Sequence, residues 1–492
     1  MRNPPHHHRR GTVLVIAMWI CIALAAVALV LAREMQVESF ATLQHLSQAK
    51  ADAAERGIEQ ASLNWVTNEL LTPGYIDDMS FEQRTLGDCY YWILKANPDD
   101  EQTVAYGLTR EAGRLDINTA TYEQLMLLPN MTDELASCIV DWYDADDDPT
   151  GTDGAEDAYY MSQDPPFHCK NAPFESLDEL RLVKGIGDQI DINTMLWGAD
   201  TNHNGIIEPA ELDNANQGAN FQVSARGLMH LLTVYGVKGT TPYASTDPTT
   251  GAALAPTVID PATGNSVTVA DVNANSTTNL SNVLNTYLSG QAAQLLQQTR
   301  SGAPFQNIWD WAVRCNLTSQ DFSQIYLFVT CTPRQTVRGG GGGAAPATTT
   351  TPAKVDIMEA SLPVLEAIGF EESEADAIIT YRTTNVTDPS QKANIAWLLD
   401  IVSHDKFRTV GTYITGTSTV YSADIVTVSR DGRAFKRVKI VIDASSGIPQ
   451  IIHREDLTRY GWPLDPAIRE DLKAGKDISG LSGNTSFSSA MH

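Results

Sequence analysis

Hydrophobic positions along the chain change period twice within its first seventy residues. From Thr12 to Ala32 every residue is apolar or small and none is charged. As a helix that run is about 30 Å long, one hydrocarbon core. Beyond Arg33 the pattern becomes one-sided. Val37, Phe40, Leu43, Leu46, Ala54, Ile58, Ala61 and Trp65 recur at spacings of three, four or eight, the helical period. No proline interrupts them before Pro73, and Pro73-Gly74 ends the pattern. The predicted element is one helix from Thr12 to Leu71, about 90 Å long. Its first third is lipid-soluble and the remainder amphipathic.

Two β-prone runs follow, Cys89 to Leu94 and Thr103 to Leu108, with Asn97-Pro98-Asp99-Asp100 as the turn. Far downstream come Thr419 to Val428, Ala434 to Ala444 and Gln450 to His453. Arg430-Asp431-Gly432 and Ser445-Ser446-Gly447 separate them, so these three read as an antiparallel meander. The long stretch between the early and late strands has the helical period. The economical fold is α+β: a small antiparallel sheet on the long helix, with a large helical domain inserted between its strands.

That inserted block repeats itself. Leu115-Asp116-Ile117-Asn118, Val272-Asn273-Ala274-Asn275 and Val355-Asp356-Ile357-Met358 each precede a helical run. In the first two copies a second half also aligns, Ala172-Pro173-Phe174 with Ala303-Pro304-Phe305. The Asp or Asn of each copy suits a helix N-cap. The units resemble helix-hairpin-helix modules. The nucleic-acid-binding form of that module offers phosphate a Gly-rich hairpin, and Lys184-Gly185-Ile186-Gly187 is the one hairpin of that shape.

Breakers and composition set the boundaries. Residues 1–11 form a leader, 12–72 the helix, 73–114 the first strands and 115–337 the inserted helical domain. Gly239 to Ser266 is a Thr/Pro-rich insertion within that domain. Residues 338–354 form a Gly/Thr-rich linker, 355–408 the third helical repeat, and 409–476 the closing strands and C-terminal segment. Residues 477–492 are a small, polar, frayed tail.

Charge sharpens the picture. The 492 residues carry a formal net charge of −26. Such a chain is poorly suited to a nucleic-acid backbone, so no nucleic acid is expected as a partner. Arg2, Arg9 and Arg10 precede the apolar run, which keeps that end cytoplasmic, and without them the exported body carries about −29.

A basic leader, a Gly directly before the apolar run, and a helix that is greasy first and amphipathic later resemble a type IV pilin-like signal. The matching residues are Arg9-Arg10-Gly11. The resemblance implies cleavage by a prepilin peptidase between Gly11 and Thr12, and methylation. Most pilins carry Glu at the fifth mature position, where this chain has Ile16. That departure, and the order of parts over nearly the whole chain, resemble the type II secretion minor pseudopilins of the general secretion pathway protein K family. Membership implies a single-pass inner-membrane anchor, a periplasmic body and a place at the pseudopilus tip with I-type and J-type minor pseudopilins. It also implies a supporting role in protein export and no enzymatic activity.

Two acidic loops are candidate calcium sites. Asp200 to Glu211 fits the twelve-residue EF-hand loop. Asp200, Asn202, Asn204 and Glu208 supply side-chain oxygens, Ile206 a main-chain carbonyl, and Glu211 a chelating carboxylate; Gly205 sits at the sharp turn. The second loop holds Asp144, Asp146, Asp148, Glu156 and Asp157. It resembles a stretch of the protein K family in which calcium binding is known. Cys315 with Cys331 and Cys138 with Cys169 are candidate disulfides in an oxidising compartment. No nucleophile–base order, phosphate loop or zinc spacing stands out. The alternative reading is a membrane-anchored helix-hairpin-helix receptor for DNA.

Overall fold

The computed structural model describes residues 10–77, 79–101, 103–186, 191–203, 205, 207, 211–212, 226–237, 257–260, 262–332, 352–388, 391–476 and 478. Leader residues 1–9, most of the 239–266 insertion, most of the 338–354 linker and nearly all of the tail lie outside them.

Helix α1 runs from Arg10 to Leu71. The apolar stripe expected along its whole length is used only in part. Val37, Phe40, Leu43 and Leu46 are exposed, whereas Ala51, Ala54, Ile58 and Val66 are buried. The helix first meets the body around Arg433, whose guanidinium lies 6.0 Å from the Phe40 ring and whose carbonyl accepts Gln44 Nε2 at 3.3 Å, and then where Ser47 Oγ donates to Asp431 at 2.8 Å. Its first half therefore projects, and it is the one helix among the described residues long and apolar enough to cross a membrane.

The docked half of α1 lies on a seven-stranded antiparallel sheet. Its strands are β1 (Arg84–Leu86), β2 (Cys89–Ala96), β3 (Val104–Tyr106), β4 (Thr109–Arg110), β5 (Val420–Ser429), β6 (Phe435–Asp443) and β7 (Gln450–Asp456). The order is β1-β2-β5-β6-β7; β3 pairs with β2 and β4 with β5. Strand β2, before the helical block, pairs directly with β5, after it, with Ile93 opposite Ile425 and Trp92 opposite Val426. The block is thus an insertion between neighbouring strands.

Alternation along β5 builds a core on each face. Ile425 joins Ile58, Val66 and Ile440 under α1. Val426 joins Trp92, Leu464 and Leu472 on the other face. A C-terminal helix, Pro466–Lys473, closes that second face, an element the sequence reading missed.

The inserted block has its own continuous core. The repeat is confirmed and extended. Each unit opens with a two-residue strand that pairs in parallel with a strand at its close: Leu115–Asp116 with Leu232–Thr233, Ala270–Asp271 with Val329–Thr330, and Val355–Asp356 with Ile414–Thr415. The second unit therefore starts at Ala270, two residues before the expected Val272. The expected N-caps are also corrected. Asp116, Asp271 and Asp356 each accept the N–H two residues on, at 3.0, 2.9 and 3.0 Å, closing an Asx turn. Capping of the first helix falls to Thr121, whose hydroxyl accepts from Gln124 N.

All six cysteines are free thiols. Cys138 Sγ faces the Asp153 carbonyl and Cys169 Sγ that of Asp141, so the expected pairing is not present.

Candidate metal centres

The first acidic loop grows from the end of a helix, Asp133–Tyr143, whose N-terminus is capped by Thr132. In its last turn Asp141 is fully buried. Its two carboxylate oxygens accept the amides of Thr150 and Ala155 at 2.8 and 2.7 Å. One buried side chain thereby folds the whole loop back on the helix. Gly154 permits this closure, since a Cβ there would lie 2.3 Å from Asp141 Oδ2.

The fold-back brings Asp144, Asp146 and Glu156 together, with one carboxylate oxygen of each within 4.8 Å of the others. Asp144 Oδ1 and both Glu156 oxygens are buried with no hydrogen-bond partner among the described residues. Desolvation and the neighbouring carboxylates push Asp144 up to about 6 and Glu156 up to about 7. Crowded, orphaned oxygens of this kind fit a hard divalent cation, which supplies the missing charge and accepts several oxygen ligands.

Of the five residues predicted for this loop, three converge and two do not. Asp157 accepts His168 Nδ1 and the Cys169 amide at 2.9 and 3.0 Å. Asp148 gives its amide to Asp146 Oδ1, while its carboxylate stays outside the group. Asn171 was missed. Its Nδ2 holds the Asp146 carbonyl and Asp147 Oδ1 at 2.9 and 3.0 Å, and its Oδ1 is buried without a partner among the described residues. Only its φ of +44°, invisible in sequence, sets it apart.

The second loop follows a short helix, Ile192–Trp197, capped by Asp191. Asp200 is fully buried. Its Oδ2 accepts Gly205 N at 2.8 Å and lies 3.1 Å from His230 Nε2. Glu211 Oε1 accepts the Thr201 amide at 3.1 Å, so the two ends of the twelve-residue loop meet. Gly205 has φ +80°, as the sharp turn requires, and Ile207 is buried as its apolar position predicts. Asn204, Ile206 and Glu208 lie outside the described residues. Among the described residues, no three acidic, imidazole or thiol groups converge here as they do in the first loop.

Gly11 and Thr12 lie in the first turn of α1. The hairpin lysine is committed internally: Lys184 Nζ pairs with Glu134 at 3.0 Å and reaches the Asp153 carbonyl at 3.1 Å. A lysine held this way has few donors left for phosphate.

Residues 106–190, the segment that contains the first acidic loop, match the family model for Type II secretion system (T2SS), protein K. A putative type II secretion system protein K of Escherichia coli K12 is 46% identical over 59 residues, 12% of this chain and 18% of that protein. The type II secretion system protein K of Pseudomonas aeruginosa is 33% identical over 82 residues, 16% and 25% of the two chains. That of Aeromonas hydrophila is 28% identical over 129 residues, 26% and 38%. The matched segments thus span well under half the length of these curated relatives. Among solved structures, the GspK-GspI-GspJ complex of enterotoxigenic E. coli aligns with TM-score 0.33 and 10% identity, over 83% of this chain and 96% of that one.

Proposed function

We infer that this chain, whose residues 106–190 carry a type II secretion system protein K domain, is a minor pseudopilin at the tip of the secretion pseudopilus. The observation that carries the reading is the pairing of β2 with β5. It makes a helix-and-sheet pilin-like body from both ends of the chain and leaves the helical block as a bulky insertion. In the proposed mechanism the apolar third of α1 sits in the inner membrane after cleavage between Gly11 and Thr12. Its exposed stripe, from Val37 to Leu46, packs on the helices of I-type and J-type subunits. The body lies in the periplasm, and the inserted block leaves no room for a further subunit above. The role is assembly in support of export, not catalysis.

Calcium is part of the proposal. Asp144, Asp146 and Glu156 would hold one ion, and Asp200, Asn202 and Glu211 would contribute to a second. In each case the ion supplies positive charge that neutralises the loop and fixes its conformation. The commitment of Lys184 to Glu134, together with the net charge of −26, speaks against the DNA-receptor alternative. Mass spectrometry of the membrane-extracted protein tests the processing step: a mature chain starting at Thr12 is expected, and a start at Arg33 would overturn the pilin-like reading.

A further inference from the structure

Side chains along β6 alternate between two surroundings. Val438, Ile440 and Ile442 enter the core under α1. Lys439 and Val441 therefore face the other way, toward the inserted block. There they line a cavity of about 170 Å³ at the seam between sheet and block. Leu94 of β2 and Val441 wall it from the sheet, and Met229 and Leu232 from the block. A cavity of about 150 Å³ is enough to hold a benzene ring.

The charges around this cavity pair off and leave one over. Lys439 lies opposite Asp424 of β5 and Glu455 of β7 in the strand register, yet both carboxylates turn to arginines. Asp424 accepts from Arg437 Nε and Nη2 at 3.0 and 2.6 Å, and Glu455 from Arg459 at 3.3 Å. Glu111 accepts from Ser422, Thr233 and Arg114 at 2.5, 2.7 and 3.4 Å, and Asp178 faces Arg181 at 3.6 Å. With each carboxylate of the lining matched to an arginine, Lys439 is the surplus cation. Its Nζ has no hydrogen bond or ion pair among the described residues. Burial and the charge of Arg114 hold the ammonium below the ordinary lysine range, against the pull of Glu111, Asp424 and Glu455. A desolvated ammonium without a partner is costly, and an anionic acceptor relieves that cost through a charge-assisted hydrogen bond.

We propose that this cavity is a binding site for a small organic monocarboxylate: the carboxylate meets Lys439 and Arg114, and an apolar body about the size of a benzene ring fills the space beside Leu94, Leu232 and Val441. One negative charge answers the one surplus cation, and the apolar walls select a body over a bare anion. The site is independent of the acidic loops and of the pseudopilin reading.

Isothermal titration calorimetry of the full chain in detergent tests it, with benzoate as the probe. Benzamide, its neutral isostere, and inorganic phosphate, an anion without the apolar body, are the comparisons. Benzoate should bind at millimolar concentration or below, and benzamide about tenfold more weakly or worse. Lys439→Met should weaken benzoate by about the same factor, and Lys439→Arg should retain it. Since the ammonium is desolvated without a partner, Lys439→Met should leave the melting temperature of the ligand-free protein unchanged or higher. Val441→Phe, which fills the apolar end and keeps the lysine, should abolish binding. No benzoate binding, equal binding of benzamide, or binding that survives Lys439→Met or Val441→Phe would overturn the site. Phosphate binding as tightly as benzoate would overturn the assignment to an organic carboxylate. A marked fall in the melting temperature of Lys439→Met would make the lysine a structural counter-charge and overturn the proposal.

Discussion

Arg110 Nη2 lies 2.6 Å from Asp77 Oδ2, in a setting where the guanidinium is 5% exposed. The same group lies 3.3 Å from Glu69 of α1 and 3.9 Å from both Asp356 and Glu359 of the third repeat unit. One arginine on β4 thus ties the end of the long helix, the sheet and the inserted block. Removing it leaves several buried carboxylates without their counter-charge. Arg110→Leu should cost about 3–5 kcal/mol, read as a lower urea midpoint with the calcium response of the first loop retained. A change below about 1 kcal/mol would place the pair among weak surface bridges.

How much of this was legible in the sequence depends on the signal each part leaves. Helix α1 and the four longer strands, β2, β5, β6 and β7, carry sustained periodicity, so they were found; of the expected run Thr103 to Leu108 only Val104–Tyr106 pairs, as β3. The repeat was legible through Asn118 and Asn273. Each makes a two-way clamp on the backbone of Phe174 or Phe305, with Nδ2 donating to the carbonyl at 3.1 and 2.8 Å and Oδ1 accepting the amide at 2.6 and 2.9 Å. The parallel strands that close the units were not legible, because two residues carry no period. The first acidic loop showed its carboxylates but not which of them converge. Asp141 decides that from the preceding helix, and its role is visible only in the amides it accepts.

Calcium at about a hundredfold its dissociation constant should add about 2.7 kcal/mol for each site that exists only in the folded protein. Scanning calorimetry should show the matching rise in melting temperature. Glu156→Gln should remove the part owed to the first loop, and Glu211→Gln the part owed to the second. A melting curve that ignores calcium would contradict both sites.

Glu55 on α1 is buried beside Glu59 and reaches Arg454 of β7 at 3.0 Å. Desolvation, then the neighbouring Glu59, push its carboxyl up to about 7 against the opposing pull of Arg454. The folded state therefore holds this proton more tightly than the unfolded chain does. Its contribution to stability is full below the ordinary glutamate range and is lost as pH rises through about 7. Glu55→Gln should flatten the fall of melting temperature between pH 5 and 8; an unaltered pH profile would show that Glu55 is not the group responsible.

The central claim is that this chain assembles with other minor pseudopilins. The direct measurement is co-purification of the full chain from membranes with the I-type and J-type subunits of the same secretion system. The account predicts a stable complex containing all three. Recovery of this chain alone, with both partners present and folded, would contradict it.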